Sequence, residues 1–317
     1  MKKNIKIKNL ILKNNIFMAP MSGISDLPFR TIVSRYSPGL VFSEMIASRA
    51  LIEQNKKTVR MLKKNTKELL AIQIAGCDAN IMANAARICE NEGADILDIN
   101  MGCPVKKVTN GFAGSALMKD ERLVIKILES VKKAINIPLT LKMRTGWDNE
   151  SKNAPKLAKI AENIGVSLIT IHGRTRCQMF RGNSDWSFIN TVKRAVKIPV
   201  IANGDVKNIN DAYNILKASG ADGIMIGRGS YGKPWIFRDI LDSFEGKDKT
   251  LKINLKELIL EHFQLNLEHY GIDTGTKNFR KHLGWYSKNF QNSNVFRAAV
   301  NSIGNHNETE KCIKNFF

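Results

Sequence analysis

Eight short runs rich in Ile, Val, Leu and Phe recur through the first three quarters of the chain, and their beat restricts the fold more than any other feature. They are NIFMAPMSG (15–23), LVFSEMI (40–46), LLAIQIAG (69–76), ILDINMGC (96–103), LTLKMRTG (139–146), LITIHGRT (168–175), PVIANGDV (199–206) and GIMIGRGS (223–230). Between them lie amphipathic segments such as ANIMANAARICENEGA and ERLVIKILESVKKAI, with apolar residues at helical spacing. The phrases NIPLT, KIPVI and GADGI repeat one helix-exit-to-strand transition, as parallel strands following helices should. Eight β-α units in this length predict an α/β fold, a (β/α)8 TIM barrel over residues 1–245. A doubly wound sheet would more usually hold five or six strands.

The beat stops near DSFEGKDKT (242–250). NLKELILEHFQLNLEHYG, TKNFRKHLGWYSKNF and NSNVFRAAVNSI then read as successive helices, the first with Leu255, Leu258, Ile259, His262 and Phe263 on one face. Residues 250–317 are therefore expected to form a small all-helical domain.

Charge narrows the partners. The 317 residues carry 49 Lys and Arg against 29 Asp and Glu, a net +20. The helical segment, with nine basic and six acidic residues, accounts for only +3 of it. A surplus of this size attracts polyanions, nucleic acid first among them. AT-rich coding raises Lys, Asn and Ile together, but it does not by itself hold the acids so low.

The five cysteines (Cys77, Cys89, Cys103, Cys177, Cys312) show no C-x-x-C pair and no zinc spacing, so no metal site is expected. Their odd count suggests reduced thiols in a cytoplasm. The basic N-terminus, MKKNIKIKNLILKNNIF, is interrupted by Lys8, Asn9, Lys13 and Asn14 and lacks the apolar core of a signal peptide. No run approaches the roughly eighteen apolar residues of a membrane span. A soluble, cytoplasmic protein is expected, with nothing that demands a partner chain.

In a barrel of this type function lies at the carboxyl ends of the strands. Those ends read Pro20-Met21-Ser22, Glu44, Gln73, Asn100 with Cys103, Lys142 with Arg144, His172 with Arg174, Asn203-Gly204-Asp205, and Gly227-Arg228. GRGSYG (227–232) fits the dinucleotide pattern G-x-G-x-x-G in form, but it follows the last run and not the first. NGD and GRG instead sit where the loops after strands seven and eight commonly bind phosphate, with Arg228 as a charge-assisted donor. Plain chain-turning glycines are the alternative. Lys142 could pair with Glu44 or Asp98, or could neutralise negative charge on a bound ring. His172 could be a core histidine; Arg174 and Arg176 beside it favour an anion or substrate contact.

A lone cysteine is normally a small buried hydrophobe, and Cys77 is read that way. Cys103 differs. It opens the longest inter-strand interval, 43 residues, beside Lys106 and Lys107. Thiols in general ionise above neutrality, so a cysteine on such a flexible, glycine-containing loop can serve as a proton donor. The lysines would then be aimed elsewhere, at phosphates.

MAPMSGISDLPFR, IQIAGCD, DINMGCPVKKVTNGFAGSAL, LKMRTGWD, TIHGRTR, VIANGD and ADGIMIGRGSYGKPWIF, taken in order, resemble the flavin-dependent tRNA-dihydrouridine synthases, the bacterial B-type in wording. The resemblance runs from about residue 8 to 240 and continues more weakly through FRKHLGWY. It implies an FMN enzyme that reduces the C5–C6 bond of particular uridines in tRNA, with NADPH recharging the flavin. By motif, Cys103 would donate the proton. Pro20, Met21 and Ser22 would contact the isoalloxazine, Gln73 and Lys142 its polar edge. Asn203, Gly204, Asp205, Gly227 and Arg228 would bind ribityl and phosphate, with His172 nearby. Asn100, Arg144 and Arg174 would face the substrate. Ser22 stands where many relatives have alanine, a small change that leaves the flavin assignment intact.

To reach a base in folded tRNA such an enzyme must take it out of its stack. The basic arm (Lys2, Lys3, Lys6, Lys8, Lys13), residues 56–67 and KNFRKHLGWY (277–286) are expected to supply backbone contacts and stacking, solvated lysine being the alternative for each. Two rival readings are a barrel flavoprotein acting on free pyrimidines and an RNA-binding module without catalysis. The first needs neither the charge nor the helical appendage. The second does not need Cys103, Lys142 and His172 at their strand ends.

Overall fold

A computed structural model describes residues 3–64, 69–247 and 251–317. A hairpin, β1 (Ile5–Ile7) with β2 (Leu10–Leu12), comes first. Eight parallel strands follow: β3 (Ile16–Met18), β4 (Val41–Ala47), β5 (Leu70–Ala75), β6 (Ile96–Met101), β7 (Leu139–Arg144), β8 (Leu168–His172), β9 (Val200–Asn203) and β10 (Gly223–Ile226). They pair in the order β3-β10-β9-β8-β7-β6-β5-β4. A parallel bridge between Phe17 and Leu40, with Met18 N donating to Leu40 O at 2.9 Å, joins the two ends and closes the barrel. Helices between the strands form the outer ring, as the beat predicts.

Strand alternation sorts the side chains into two populations. Ile72, Ile74, Leu97, Ile99, Leu141, Met143, Ile169 and Ile171 join the helix-facing cluster. Phe17, Phe42, Ala71, Ile96, Leu168 and Ile201 form a second cluster inside the barrel. One period of two further along, the inward positions turn polar, at Gln73, Asp98, Thr140 and Thr170, all fully buried. The next inward step is Asn100, Lys142, His172 and Asn203, at the mouth. The interior thus grades from apolar to ionic toward the carboxyl end.

The hairpin is not among the expected elements. Ile5, Ile7 and Leu12 pack into the interior cluster, so the arm closes the amino end of the barrel. Lys8 Nζ donates to Asn136 O, just ahead of β7. Lys3, Lys6, Lys8 and Lys13 are exposed at that end, away from the mouth; Lys2 lies outside the described residues.

Helix Ile236–Phe244 continues into the phrase read as a break. Beyond residues 248–250, which are outside the description, helices Leu255–Tyr270, Ile272–Tyr286, Ser293–Ser302 and His306–Phe316 pack around Phe263, Phe279, Leu283, Phe296 and Ile313. Ile32, from the first barrel helix Leu27–Ser34, belongs to the same cluster and docks the bundle on the barrel. The docking continues toward the mouth. Tyr270 Oη donates to Asp26 Oδ2 at 2.8 Å, Lys281 Nζ donates to Gly23 O, and Tyr231 stacks on Trp285 at 4.1 Å.

Candidate active site

The strand ends enclose a cavity of about 330 Å³. Pro20, Met21, Ser22, Gln73, Asn100, Cys103, Lys142, Arg144, His172, Asn203, Gly204, Asp205, Gly227 and Arg228 all line it. Arg174 does not. It is buried beneath one wall and opens onto an adjoining groove between barrel and bundle.

Each wall has a local cause. Residues 20–25 form one tight turn, with Ile24 N and Ser25 N both donating to Met21 O and Gly23 in the left-handed region at φ 73°. Glu44 Oε1 accepts Gly23 N and fixes the turn from β4. Asp26 then caps the following helix by accepting Phe29 N at 3.0 Å.

Cys103 is held by its backbone. Asn100 Oδ1 accepts Gly102 N at 3.1 Å and Cys103 N at 2.9 Å, while Ser115 N and Oγ donate to Cys103 O at 3.1 and 2.8 Å. Gly114 sits so close that a Cβ there would lie 2.8 Å from Cys103 O. The residue expected to open a flexible segment is therefore tied at both peptide faces, and its half-buried thiol is presented to the cavity.

Beneath it runs a directional chain that no motif reveals. Asp98 accepts Thr140 Oγ1 and Gln73 Nε2, each at 2.6 Å; Gln73 Oε1 accepts Asn100 Nδ2 at 2.7 Å. A carboxylate only accepts, so Asp98 sets which way both amides point, and hence that Asn100 offers its oxygen to the Cys103 peptide. Each amide nitrogen has a second N–H beyond these bonds. Burial pushes the Asp98 carboxyl up to about 6 against these hydrogen bonds.

The charge at the mouth is mostly positive. Burial, then Arg144, press Lys142 down to about 8, opposed by Asp98. Burial first, then Lys142 and the arginines, hold His172 well below its ordinary value, so its imidazole is neutral at physiological pH. His172 Nε2 lies 3.2 Å from Arg174 Nη1. A guanidinium has only donors, so this nitrogen accepts and the ring proton rests on Nδ1.

Asp205, expected on ribityl or phosphate, has its carboxylate turned to cations. It accepts Arg174 Nη2 at 2.6 Å, Ser184 N at 2.8 Å and Arg228 Nη2 at 3.3 Å. Burial raises its carboxyl, but these donors outweigh it and hold the group below the usual range. A carboxylate repels phosphate, and its geometry is that of a holder for Arg228.

Phe180, Tyr231 and Lys207 also line the cavity, and the strand-end pattern does not flag them. Phe180 lies in a loop well past the end of β8, where no spacing rule points, whereas Lys207 and Tyr231 stand just beyond the NGD and GRG phrases. Among the basic stretches, Phe279, His282, Leu283 and Tyr286 of 277–286 face the bundle core, and Trp285 is occupied by Tyr231. Lys56 and Lys57 are exposed, Lys64 pairs with Asp95 at 2.6 Å, and Lys67 lies outside the described residues.

The donor set suits a flavin mononucleotide. Met21, Ile24, Met45 and Met225 give an apolar wall, Gln73, Asn100 and Asn203 give amides, and Lys142 and Arg228 give cations at separate places.

Residues 17–317 match the family model described as dihydrouridine synthase. The chain belongs to the dihydrouridine synthase family. A Rickettsia bellii protein named a probable tRNA-dihydrouridine synthase is 51% identical over 302 residues, 94% of this chain and 93% of its own length. The Pasteurella multocida tRNA-dihydrouridine synthase B is 44% identical, with 99% and 96% of the two chains covered. Among solved structures, histamine dehydrogenase from Rhizobium sp. 4-9 superposes with a TM-score of 0.59 at 14% identity, over 83% of this chain and 50% of that one. A morphinone reductase variant gives 0.52 at 13%, over 74% and 89%. At such identities the likeness speaks for the barrel alone. Family membership and barrel agree with the resemblance read from the motifs.

Proposed function

We propose that the chain reduces the C5–C6 bond of specific uridines in tRNA to 5,6-dihydrouridine, with FMN as cofactor and NADPH as reductant. The observation that carries this reading is the meeting of the Cys103 thiol, the Lys142 cation and the Gly227-Arg228 loop on one cavity. When bound, FMN would pass hydride, two electrons with one proton, from NADPH to the uracil ring. The residues present do the rest. Pro20, Met21 and Ser22 bear on the ring system, and Gln73 with its spare N–H and Lys142, protonated at neutral pH, bind its polar edge. Asn203, Gly204, Gly227 and Arg228 take ribityl and phosphate, Asp205 orienting Arg228 and the neutral His172 lying beside them.

Cys103 gives its Sγ proton to the uracil ring, from a backbone that Asn100 and Ser115 hold in place. The spare N–H of Asn100 and the Arg144 guanidinium border the space for the base. Arg174 acts from beneath, through Asp205 and His172.

The groove between barrel and bundle, lined by Arg228, Lys233, Lys288 and Phe290, suits a folded RNA backbone. Residues 250–317 would then be the tRNA-binding domain and the work cytoplasmic. The test incubates purified protein with NADPH and unmodified tRNA and follows uridine mass by nucleotide position. A gain of two mass units at defined positions, with none on free uracil or orotate, is expected. Reduction of the free pyrimidines alone would overturn the reading.

A further inference from the structure

We propose that Phe180 is a stacking platform for a base of the RNA substrate at the throat of the cavity. This rests on the reading of tRNA as substrate. Phe180 lines both the barrel cavity and the groove leading to the bundle, so whatever passes from one to the other meets it. Its side chain is costly to leave in water, yet the residue is 49% exposed and belongs to none of the apolar clusters among the described residues.

The loop that carries it is held rigidly. Arg144 Nη1 donates to Met179 O at 2.8 Å, and Arg174 Nε donates to Arg181 O at 3.2 Å, so the carbonyls on either side of Phe180 are each fixed by a nearly fully buried arginine. Met179 adopts φ 51°, a left-handed conformation that costs a side-chain-bearing residue free energy. A rigid, locally unfavourable loop that displays one aromatic ring serves a contact made from outside.

The ring's surroundings say which contact. The guanidinium of Arg228 stands 5.1 Å and that of Arg144 5.6 Å from the ring centroid. Both guanidiniums lie over the ring, and a nucleotide whose base joins this stack can set its phosphate against the lysines of the groove, Lys207, Lys233 and Lys288. Stacking of this kind tolerates any base, so Phe180 would orient the entering nucleotide without selecting its identity.

The experiment measures binding of an unmodified tRNA transcript to the flavin-free full chain by fluorescence anisotropy, alongside dihydrouridine formation and flavin reduction by NADPH in the loaded enzyme. Phe180→Ala should weaken tRNA binding by about 5- to 100-fold. Phe180→Trp should bind within about twofold of the parent. Phe180→Leu, which keeps apolar bulk without a π face, should weaken like Ala. Flavin content, flavin reduction and melting temperature should not move. Normal binding by Phe180→Ala, or parental binding by Phe180→Leu, overturns the proposal. So does a defect confined to flavin loading or to flavin reduction, which would assign the ring to the cofactor or the nicotinamide. If the parent forms dihydrouridine and Phe180→Ala does so equally well, this inference alone fails. If the parent binds tRNA in a Phe180-dependent way but reduces none, the proposed function fails instead.

Discussion

Lys142 should set the alkaline limit of the reaction, and Asp98 should set where that limit falls. Lys142 is held near 8 because the cavity walls desolvate it and Arg144 repels it, with Asp98 pulling the other way. Only the ammonium form is useful at the polar edge of a flavin, so turnover should fall as pH rises through about 8. Asp98 pairs in register with Thr140, two positions from Lys142 on the adjacent strand. With parallel strands about 4.8 Å apart and a rise of about 3.3 Å per residue, the two residues stand about 8 Å apart. At an effective dielectric of about 20, unit charges at that separation interact by about 2 kcal/mol, or one to two pH units. Asp98→Asn should therefore carry the limb down to between about pH 6 and 7, and activity at pH 7.5 should fall by about 3- to 25-fold. The gap should narrow as pH falls toward 6.

The assay is single-turnover dihydrouridine formation by enzyme with pre-reduced flavin, from pH 6 to 9.5, with flavin absorbance checked at each point. Loss of amide orientation through Gln73 would lower the whole profile without moving its limb, so the two effects of Asp98→Asn separate. Lys142→Arg holds its charge across the range and should remove the limb near 8, leaving only the fall at higher pH that ionisation of a thiol acid brings. A limb that stays put in Asp98→Asn, or persists unchanged in Lys142→Arg, would refute the reasoning and assign it to another group.

Cys103→Ala should keep the flavin spectrum and lose at least about a hundredfold in tRNA reduction, read by uridine mass; full turnover would remove the proton-donor role. Gly204→Ala should fail to hold FMN and should melt at a lower temperature, because Gly204 adopts φ 124° and its Cβ would stand 2.3 Å from Ser184 Oγ and 3.0 Å from His172 Cδ2. In the bundle, burial holds His262 near 3 and His282 well below its ordinary value, and the Nε2 of each has no partner among the described residues. A histidine with a depressed folded value contributes stability that is full above about pH 6.5 and lost as pH falls, about 2 kcal/mol each between pH 7 and 5. Urea titrations at those two pH values should show His282→Phe losing about 2 kcal/mol less than the parent; an equal loss would exclude this origin. Asp26 and Asp98, raised to about 6, act in the opposite sense, but they do so in both proteins and cancel in the comparison.

How much of this is legible in the sequence follows from the range of each interaction. Strand alternation is local, so the spacing within the eight runs is enough to put Asn100, Lys142, His172 and Asn203 at the mouth. The hairpin is equally local: Ile5 and Ile7, then Leu10 and Leu12, alternate around Lys8-Asn9, yet the lysines among them suggest a basic arm instead. What the sequence does not carry is which polar groups consume one another. Asp98 reaches Gln73 across 25 residues, and Asp205 reaches Arg174 across 31. Only those pairings show that two carboxylates near the site serve to aim other groups. They also explain why a mouth so rich in cations can be assembled at all. Arg174, buried at 2% exposure, would be strongly destabilising without Asp205, His172 and the two loop carbonyls that accept its donors. Arg144, at the cavity, and Arg174, beneath its wall, are each first a ligand for backbone oxygens, and the loop they thereby shape is the one that presents Phe180.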